Sequence, residues 1–131
     1  MPAKDPGIMP AWQYYESAAG ADVVRGEVTN LKMSPKAALA WNRLLILIEL
    51  GDARAGAHFT PLKGKENRGL REVVLERDGC WYRMFYSHEA SDPAVILAVR
   101  AFKKKSNKTP LTELEVARVR RRDWRLRNLG V

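Results

Sequence analysis

Residues 69–102 constrain the fold of this chain more than any other stretch, because polar and apolar residues alternate along two successive runs. GLREVVLE and CWYRMFYSH have the two-residue period of strands that bury one face. The pair Asp78-Gly79 separates them and favours a two-residue hairpin turn. After a second turn at residues 91–93, the continuous apolar run AVILAVRAF predicts a strand buried on both faces. We therefore expect an antiparallel meander of three strands.

Alternation along these strands also predicts which side chains share a face of the sheet. Arg83 should lie on the same face as Trp81, and Arg100 on the same face as Ala98 and Phe102. A charged residue among apolar neighbours near a strand end is expected to point into a groove or towards an anion.

A short strand and two helices are expected before the meander. The aromatic run WQYYES, followed by a glycine, is typical of a strand and a turn. Over residues 21–31 the apolar residues recur at helical spacing, and Asp22 is placed to cap the first turn. A second helix should begin at Ser34-Pro35 and end at Gly51, since serine caps free N–H groups and glycine tolerates the left-handed conformation of a C-terminal cap.

A third helix is expected after the meander. Thr109-Pro110 repeats the cap-and-proline start, and Thr112 with Glu115 offers an alternative capping box. The sequence therefore predicts an α+β fold, in which residues 1–10 form a flexible arm and residues 11–131 a single domain. The residues expected on the packed side of the third helix are Leu111, Leu114, Ala117 and Trp124.

The formal charge is concentrated in the last quarter of the chain. Residues 100–131 contain eleven Lys and Arg against three Asp and Glu, whereas residues 1–99 contain twelve of each, so the whole net charge of +8 lies in this segment. A local excess of this kind is the electrostatic footprint of a surface that contacts phosphates. A basic stripe is expected on the third helix from Arg118, Arg121, Arg122 and Arg125, which recur at spacings of three and four.

Composition disfavours several classes of site and location. Cys80 is the only cysteine, which excludes an intramolecular disulfide and is typical of a reducing compartment. Two histidines without metal-ligand spacing predict no metal site, and no standard hydrolase signature or nucleotide-binding loop is present. The apolar window at residues 44–50 is too short to span a bilayer, and the N-terminus lacks a signal-peptide pattern. We expect a cytoplasmic protein that uses no metal, cofactor or membrane.

Arginine, lysine and tyrosine remain as the residues that could carry chemistry, and they suit the cleavage of RNA. RNA supplies its own nucleophile, the 2′-hydroxyl, so an enzyme needs only to orient the sugar, neutralise the charge on phosphorus and assist proton transfer. Guanidinium groups match phosphate oxygens, and lysine or tyrosine can move protons where neighbouring cations lower its pKa.

The motifs PLKGKENRGLREV, WYRMFYS and AFKKKSNKTPLTELEVARVR occur in this order and resemble the RelE/ParE superfamily of type II toxins, specifically its HigB-like, phage-derived branch. The resemblance covers residues 60–120. It implies a RelE-like fold, in which two N-terminal helices pack on a small twisted antiparallel sheet that a C-terminal helix follows. It also implies a ribosome-dependent mRNA endoribonuclease that inhibits translation and is neutralised by a cognate HigA-like, helix-turn-helix antitoxin. The proline-rich start is similar to toxins of toxin–antitoxin–chaperone systems, which implies a SecB-like chaperone as a further partner.

The resemblance also implies roles for individual residues. Arg83 of the YR motif is expected to grip the scissile phosphate, with Lys103 and Lys104 lining the catalytic cleft. Tyr86 and His88 are candidates for proton transfer or base stacking; the alternatives are a core-edge tyrosine and a turn histidine. Together with the basic stripe, the residues expected to bind RNA or the ribosome are Lys63, Lys65, Arg68, Arg71, Lys105, Lys108, Arg118, Arg121, Arg122 and Arg125.

One position departs from the family pattern. Many relatives read GLWELR, whose arginine is functional, whereas this chain reads GLREVV and has Val74 at that place. Arg71 lies on the opposite strand face by alternation and cannot simply replace that arginine. Weak or absent catalysis therefore stays open. So do two alternatives, a ParE-like gyrase inhibitor and a non-catalytic nucleic-acid-binding or phage accessory protein of the same fold.

Overall fold

A computed structural model describes residues 10–91, 93–104 and 110–130 of the chain. The expected N-terminal arm lies outside these ranges apart from Pro10, and Lys105 and Lys108 also lie outside them. The described residues form an α+β arrangement of five strands, three α-helices and a short 3-10 turn at Lys65–Asn67. The strands are β1 (Ala11–Tyr14), β2 (Thr60–Pro61), β3 (Leu70–Arg77), β4 (Cys80–Glu89) and β5 (Val95–Lys104), and the helices are α1 (Val23–Asn30), α2 (Pro35–Leu50) and α3 (Leu111–Leu129).

The five strands form one sheet in the order β1-β5-β4-β3-β2. The predicted meander is confirmed, because β4 pairs antiparallel with both β3 and β5. Asp78 and Gly79 have φ angles of 56° and 76°, the positive values that a type I′ hairpin requires at both central positions. β1 pairs in parallel with β5, so the sheet is mixed rather than wholly antiparallel.

A β-bulge in β5 changes which side chains share a face. Arg100 pairs with Phe85 whereas Ala98 pairs with Tyr86, so Val99 is an extra residue between the two pairs. Side-chain alternation is interrupted at such a residue. Arg100 therefore lies on the face of Phe85, and the prediction that it shares a face with Ala98 is wrong.

The helix boundaries show which capping signals operate. Ser34 Oγ accepts a hydrogen bond from the Ala37 N–H at 3.2 Å, and Gly51 ends α2 with a φ of 78°. Both signals predicted for α2 are thus confirmed. Asp22 precedes α1 but makes no side-chain capping hydrogen bond, so that prediction is wrong. Packing holds α1 instead, through the fully buried side chain of Val24.

Different helices cover the two faces of the sheet. On one face, the Trp12 ring lies 5.2 Å from the ring of Tyr86, and its Nε1 donates to the Leu45 carbonyl of α2 at 2.9 Å. On the opposite face, Arg125 of α3 pairs with Glu89 of β4 at 2.6 Å. We call the surface that carries Tyr86 the α2 face and the surface that carries Glu89 the α3 face.

The packed side of α3 is mostly the predicted one. Leu114, Ala117 and Trp124 are buried, as expected, but Leu111 is 81% exposed. Leu111 lies roughly 120° around the helix from Ala117, so both cannot face the sheet. Its assignment to the packed side is wrong. The alternative capping box at Thr112 is also wrong, since α3 already begins at Leu111.

Candidate nucleic-acid interface

Most arginines of α3 bind other parts of the same chain. Arg118 donates to Asn67 Oδ1 at 2.8 Å, and Arg121 donates to the Arg68 carbonyl at 2.8 Å. Arg121 is also only 7% exposed. Both contacts hold α3 against the turn before β3. The expectation that these two side chains bind RNA does not fit this placement.

Acidic residues far away in the sequence neutralise three further arginines. Arg125 makes a two-point contact with Glu89, at 2.6 and 2.9 Å. Glu27 of α1 binds Arg120 at 2.8 Å and also binds Arg100. Arg100 therefore points to an internal carboxylate rather than to an external anion, and Arg125 is unavailable as part of a basic stripe.

Arg122 is the exception within the predicted stripe. It is exposed, and it makes no hydrogen bond or ion pair with any residue that the structure describes. The stripe of four arginines is thus reduced to one freely displayed cation.

Arg83 is buried rather than presented to a substrate. It is 1% exposed, and its Nη1 donates to Glu72 Oε2 at 3.0 Å. Glu72 is itself 5% exposed, so the two side chains form a buried ion pair on the α3 face. Val74 lies directly opposite Arg83 in the pairing of β3 with β4. The prediction that Arg83 grips a phosphate does not fit this placement, because packed side chains separate the guanidinium from solvent.

Lys103 and Lys104 lie far along the sheet from His88. Lys104 pairs with Trp81, and His88 lies about 23 Å further along β4 at 3.3 Å per residue. The Lys103 Nζ donates to the Leu31 carbonyl at 3.4 Å. The sequence suggested that the two lysines and His88 line one cleft. Among the described residues they do not, because the distance along the sheet separates them.

A cation, a histidine and two aromatic rings come together on the α2 face. Arg71 pairs with Tyr86 across β3 and β4, and its guanidinium carbon lies 4.6 Å from the ring centroid of Phe59. The ring of Tyr86 lies 6.4 Å from that of Phe59 and 6.0 Å from that of His88. We call Arg71, His88, Phe59 and Tyr86 the Arg71 cluster. It combines three residues that the sequence singled out with one that it did not.

Phe59 is the member that sequence reasoning missed. It lies in the polar connector at residues 52–69, where a lone aromatic residue shows no periodicity. The pairing of Pro61 with Arg71 brings it beside the guanidinium. The only sequence signal is its position just before the PLKGKENRG motif.

Tyr86 packs beneath the rings of Phe59 and His88 and is not accessible to solvent. Its side chain is fully buried, and burial raises its pKa to about 12 against the opposing effect of the Arg71 charge. Its hydroxyl has no hydrogen bond of normal geometry to any described residue. A proton-transfer role for Tyr86 does not fit this placement, and the alternative of a core-edge tyrosine describes it correctly.

His88 is exposed and has the electrostatic surroundings of a proton acceptor. Partial burial of the ring, followed by the positive charge of Arg71, lowers its pKa from 6.5, while Glu89 acts in the opposite direction. A lowered pKa keeps the imidazole neutral at pH 7, which is the form that accepts a proton. Arg71 carries a permanent charge that matches phosphate oxygens. Together the two side chains can bind a phosphate and take a proton from a neighbouring hydroxyl.

Replacing Arg71 by glutamine is expected to raise the pKa of His88 towards its ordinary value, because the nearby positive charge that disfavours protonation is lost. An NMR titration of the imidazole Cε1–H resonance measures this change, and His88→Asn identifies the resonance. Arg77→Gln is the matched control, since Arg77 is an exposed arginine at the far end of the same strand. An unchanged His88 titration in Arg71→Gln would contradict the described geometry.

Three more cations precede the cluster in the connector. The Leu62 N–H donates to the Leu70 carbonyl at 3.0 Å and thereby fixes the connector against the start of β3. The exposed cations are Lys63, Lys65 and Arg68. They extend the positive potential of the Arg71 cluster along the same end of the sheet.

The part of the chain that the structure describes contains neither a candidate metal site nor a candidate membrane-spanning helix. No three His, Cys, Asp or Glu side chains are grouped as a metal ion would require. Likewise, none of the described helices is long and apolar enough to cross a membrane.

Comparison with known proteins matches most of this chain to one family. Residues 31–122, which include α2, β2 to β5 and the Arg71 cluster, match the family described as phage-derived protein Gp49-like (DUF891). Two relatives from Mycobacterium tuberculosis, strains CDC 1551 / Oshkosh and ATCC 25618 / H37Rv, both bear the name probable endoribonuclease HigB1. Each is 27% identical over 129 residues, which cover 95% of this chain and 93% of the relative.

Proposed function

Because the chain belongs to the phage-derived Gp49-like family, a HigB-like branch of the RelE/ParE toxins, we propose that it is an endoribonuclease toxin of a type II toxin–antitoxin system. In this proposal the protein cleaves mRNA in the ribosomal A site and thereby stops translation. A cognate HigA-like antitoxin with a helix-turn-helix neutralises it, and a SecB-like chaperone is a further partner.

The observation that carries the proposal is the neighbourhood of His88 and Arg71 on an exposed surface. His88 accepts the proton of the RNA 2′-hydroxyl as the 2′-oxygen attacks phosphorus, and the 5′-oxygen leaves with a proton from water. Arg71 binds the phosphate oxygens while their negative charge grows. The exposed Lys63, Lys65 and Arg68 contact the backbone of messenger or ribosomal RNA.

Expression of the protein without an antitoxin tests the proposal. We expect growth and translation to stop, and we expect mRNA in a translating extract to be cut at codon-linked positions that primer extension can map. Arg71→Ala should lower cleavage at least about tenfold, because the phosphate loses a charged ligand. Arg77→Ala, at the far end of β3, should cleave like the parent protein.

Two other outcomes would identify the alternative functions. Intact mRNA together with DNA damage signalling would indicate a ParE-like gyrase inhibitor. RNA binding without cleavage would indicate a non-catalytic nucleic-acid-binding protein. Val74 at the usual arginine position and the buried, paired Arg83 are the features that favour a function without cleavage.

A further inference from the structure

Three large apolar side chains lie exposed along the outer surface of α3. Leu111, Val119 and Leu126 are 81%, 61% and 55% exposed. With the exposed Glu115 and Arg122 they lie within an arc of about 80°, at roughly 100° per residue, on the side of the helix away from the sheet. We call these five residues the α3 outer stripe.

The two charges of the α3 outer stripe differ from the other charges on this helix. The remaining arginines of α3 bind internal partners, whereas Glu115 and Arg122 form no ion pair with any residue in the described ranges. They do not reach each other readily, because seven residues of helix separate them by about 10 Å. The stripe therefore offers one anion and one cation, set between apolar side chains, to an external surface.

The α3 outer stripe is self-complementary. In chain order the stripe reads Leu, Glu, Val, Arg, Leu. When a second copy runs in the opposite direction beside it, each apolar residue lies opposite an apolar residue and each charged residue opposite one of the other sign. In an antiparallel pair of α3 helices, Leu111 faces the partner's Leu126, Glu115 faces the partner's Arg122, and Val119 lies at the twofold axis. Such an isologous contact is the commonest way in which identical chains associate.

We propose that the α3 outer stripe binds a second copy of this chain and forms an antiparallel homodimer. Val119 borders two grooves on the surface of α3. One groove of about 370 Å³ runs between Arg122 and Glu66, and another of about 440 Å³ is lined by Val116 and Arg120. A ridge of side chains from the second helix can enter these grooves, as ridges do between packed helices.

The dimer is expected to be weak and to leave the Arg71 cluster open. The stripe spans about 22 Å of helix, so the contact lies at the small end of specific interfaces and a dissociation constant on the order of micromolar is expected. Each chain carries a net charge of +8, which opposes association and makes the local pairing of Glu115 with Arg122 necessary. α3 lies over one face of the sheet and His88 lies on the other.

Sedimentation velocity of the full chain, over a concentration series that brackets the micromolar range, tests the proposal. We expect a monomer–dimer equilibrium in the parent protein. Glu115→Arg or Arg122→Glu alone should raise the dissociation constant at least about tenfold, because each places like charges opposite one another at two symmetric positions. The double variant exchanges the charges and should return the constant to within about threefold of the parent value.

Val119→Glu tests the apolar contact of the stripe, and Ile46→Glu is its control at an exposed apolar residue elsewhere. Val119→Glu places two carboxylates at the axis and should abolish the dimer. Ile46 is 51% exposed on α2, outside the stripe, so Ile46→Glu should leave the dimer intact. A monomer at every concentration would overturn the proposal. So would a dimer that survives both single charge reversals, one that Ile46→Glu dissolves, or a double variant that stays monomeric.

Discussion

Arg83→Ala is expected to lower the free energy of unfolding by about 3–5 kcal/mol, the usual effect of removing one partner from a buried ion pair. The physical reason is the partner that remains. Arg83 and Glu72 are only 1% and 5% exposed, so the substitution takes from Glu72 a charged partner that water cannot readily replace. Urea denaturation followed by circular dichroism measures the change.

Two comparison variants test whether the loss of stability comes from breaking the buried ion pair. Arg83→Met combined with Glu72→Leu removes both charges and should recover most of the lost stability, because a buried pair can be replaced by apolar groups at little cost. Arg77→Ala removes an exposed arginine of β3 and should change the stability by less than about 0.5 kcal/mol. Parent-like stability of Arg83→Ala would show that the pair is not buried as described. Loss of toxicity in this variant would report unfolding rather than a lost phosphate contact.

His88→Ala is expected to slow RNA cleavage about 10²–10⁴-fold, the usual contribution of a general acid or base. The side chain is exposed, so its removal should leave the fold and the stability almost unchanged. Single-turnover cleavage of mRNA in a translating extract measures the rate. His58→Asn is the matched control, because an asparagine oxygen can still accept the bond that His58 Nδ1 takes from the Arg54 N–H at 2.9 Å.

The dependence of cleavage on pH should report the same imidazole. His88 accepts a proton only when neutral, and its pKa is lowered from 6.5, so the rate should be constant above that value and fall as the pH drops through the lowered pKa. In Arg71→Gln, the rate of any remaining cleavage should begin to fall at a higher pH than the rate of the parent protein does, because this substitution raises the pKa of His88. A parent-like rate in His88→Ala would assign the proton transfer to another group.

Local signals in the sequence predicted the elements well wherever one residue type has a strong backbone preference. Ser34 and Gly51 bound α2, and Asp78-Gly79 forms the hairpin. The bulge at Val99 was not predictable in this way, since valine has no backbone preference that marks a bulge. A bulge depends on how two strands pair, and its consequence is that Arg100 shares a face with Phe102 but not with Ala98.

The sequence by itself determined the meander, the limits of α2, the family and the residue types suited to RNA chemistry. Only the tertiary structure decided which cations are free to act. Arg120 meets Glu27 across 93 positions and Arg125 meets Glu89 across 36, whereas Arg71 remains beside His88 on an exposed surface. The charge of an arginine is intrinsic to the residue, but its availability depends on which distant carboxylate the fold brings within hydrogen-bond distance.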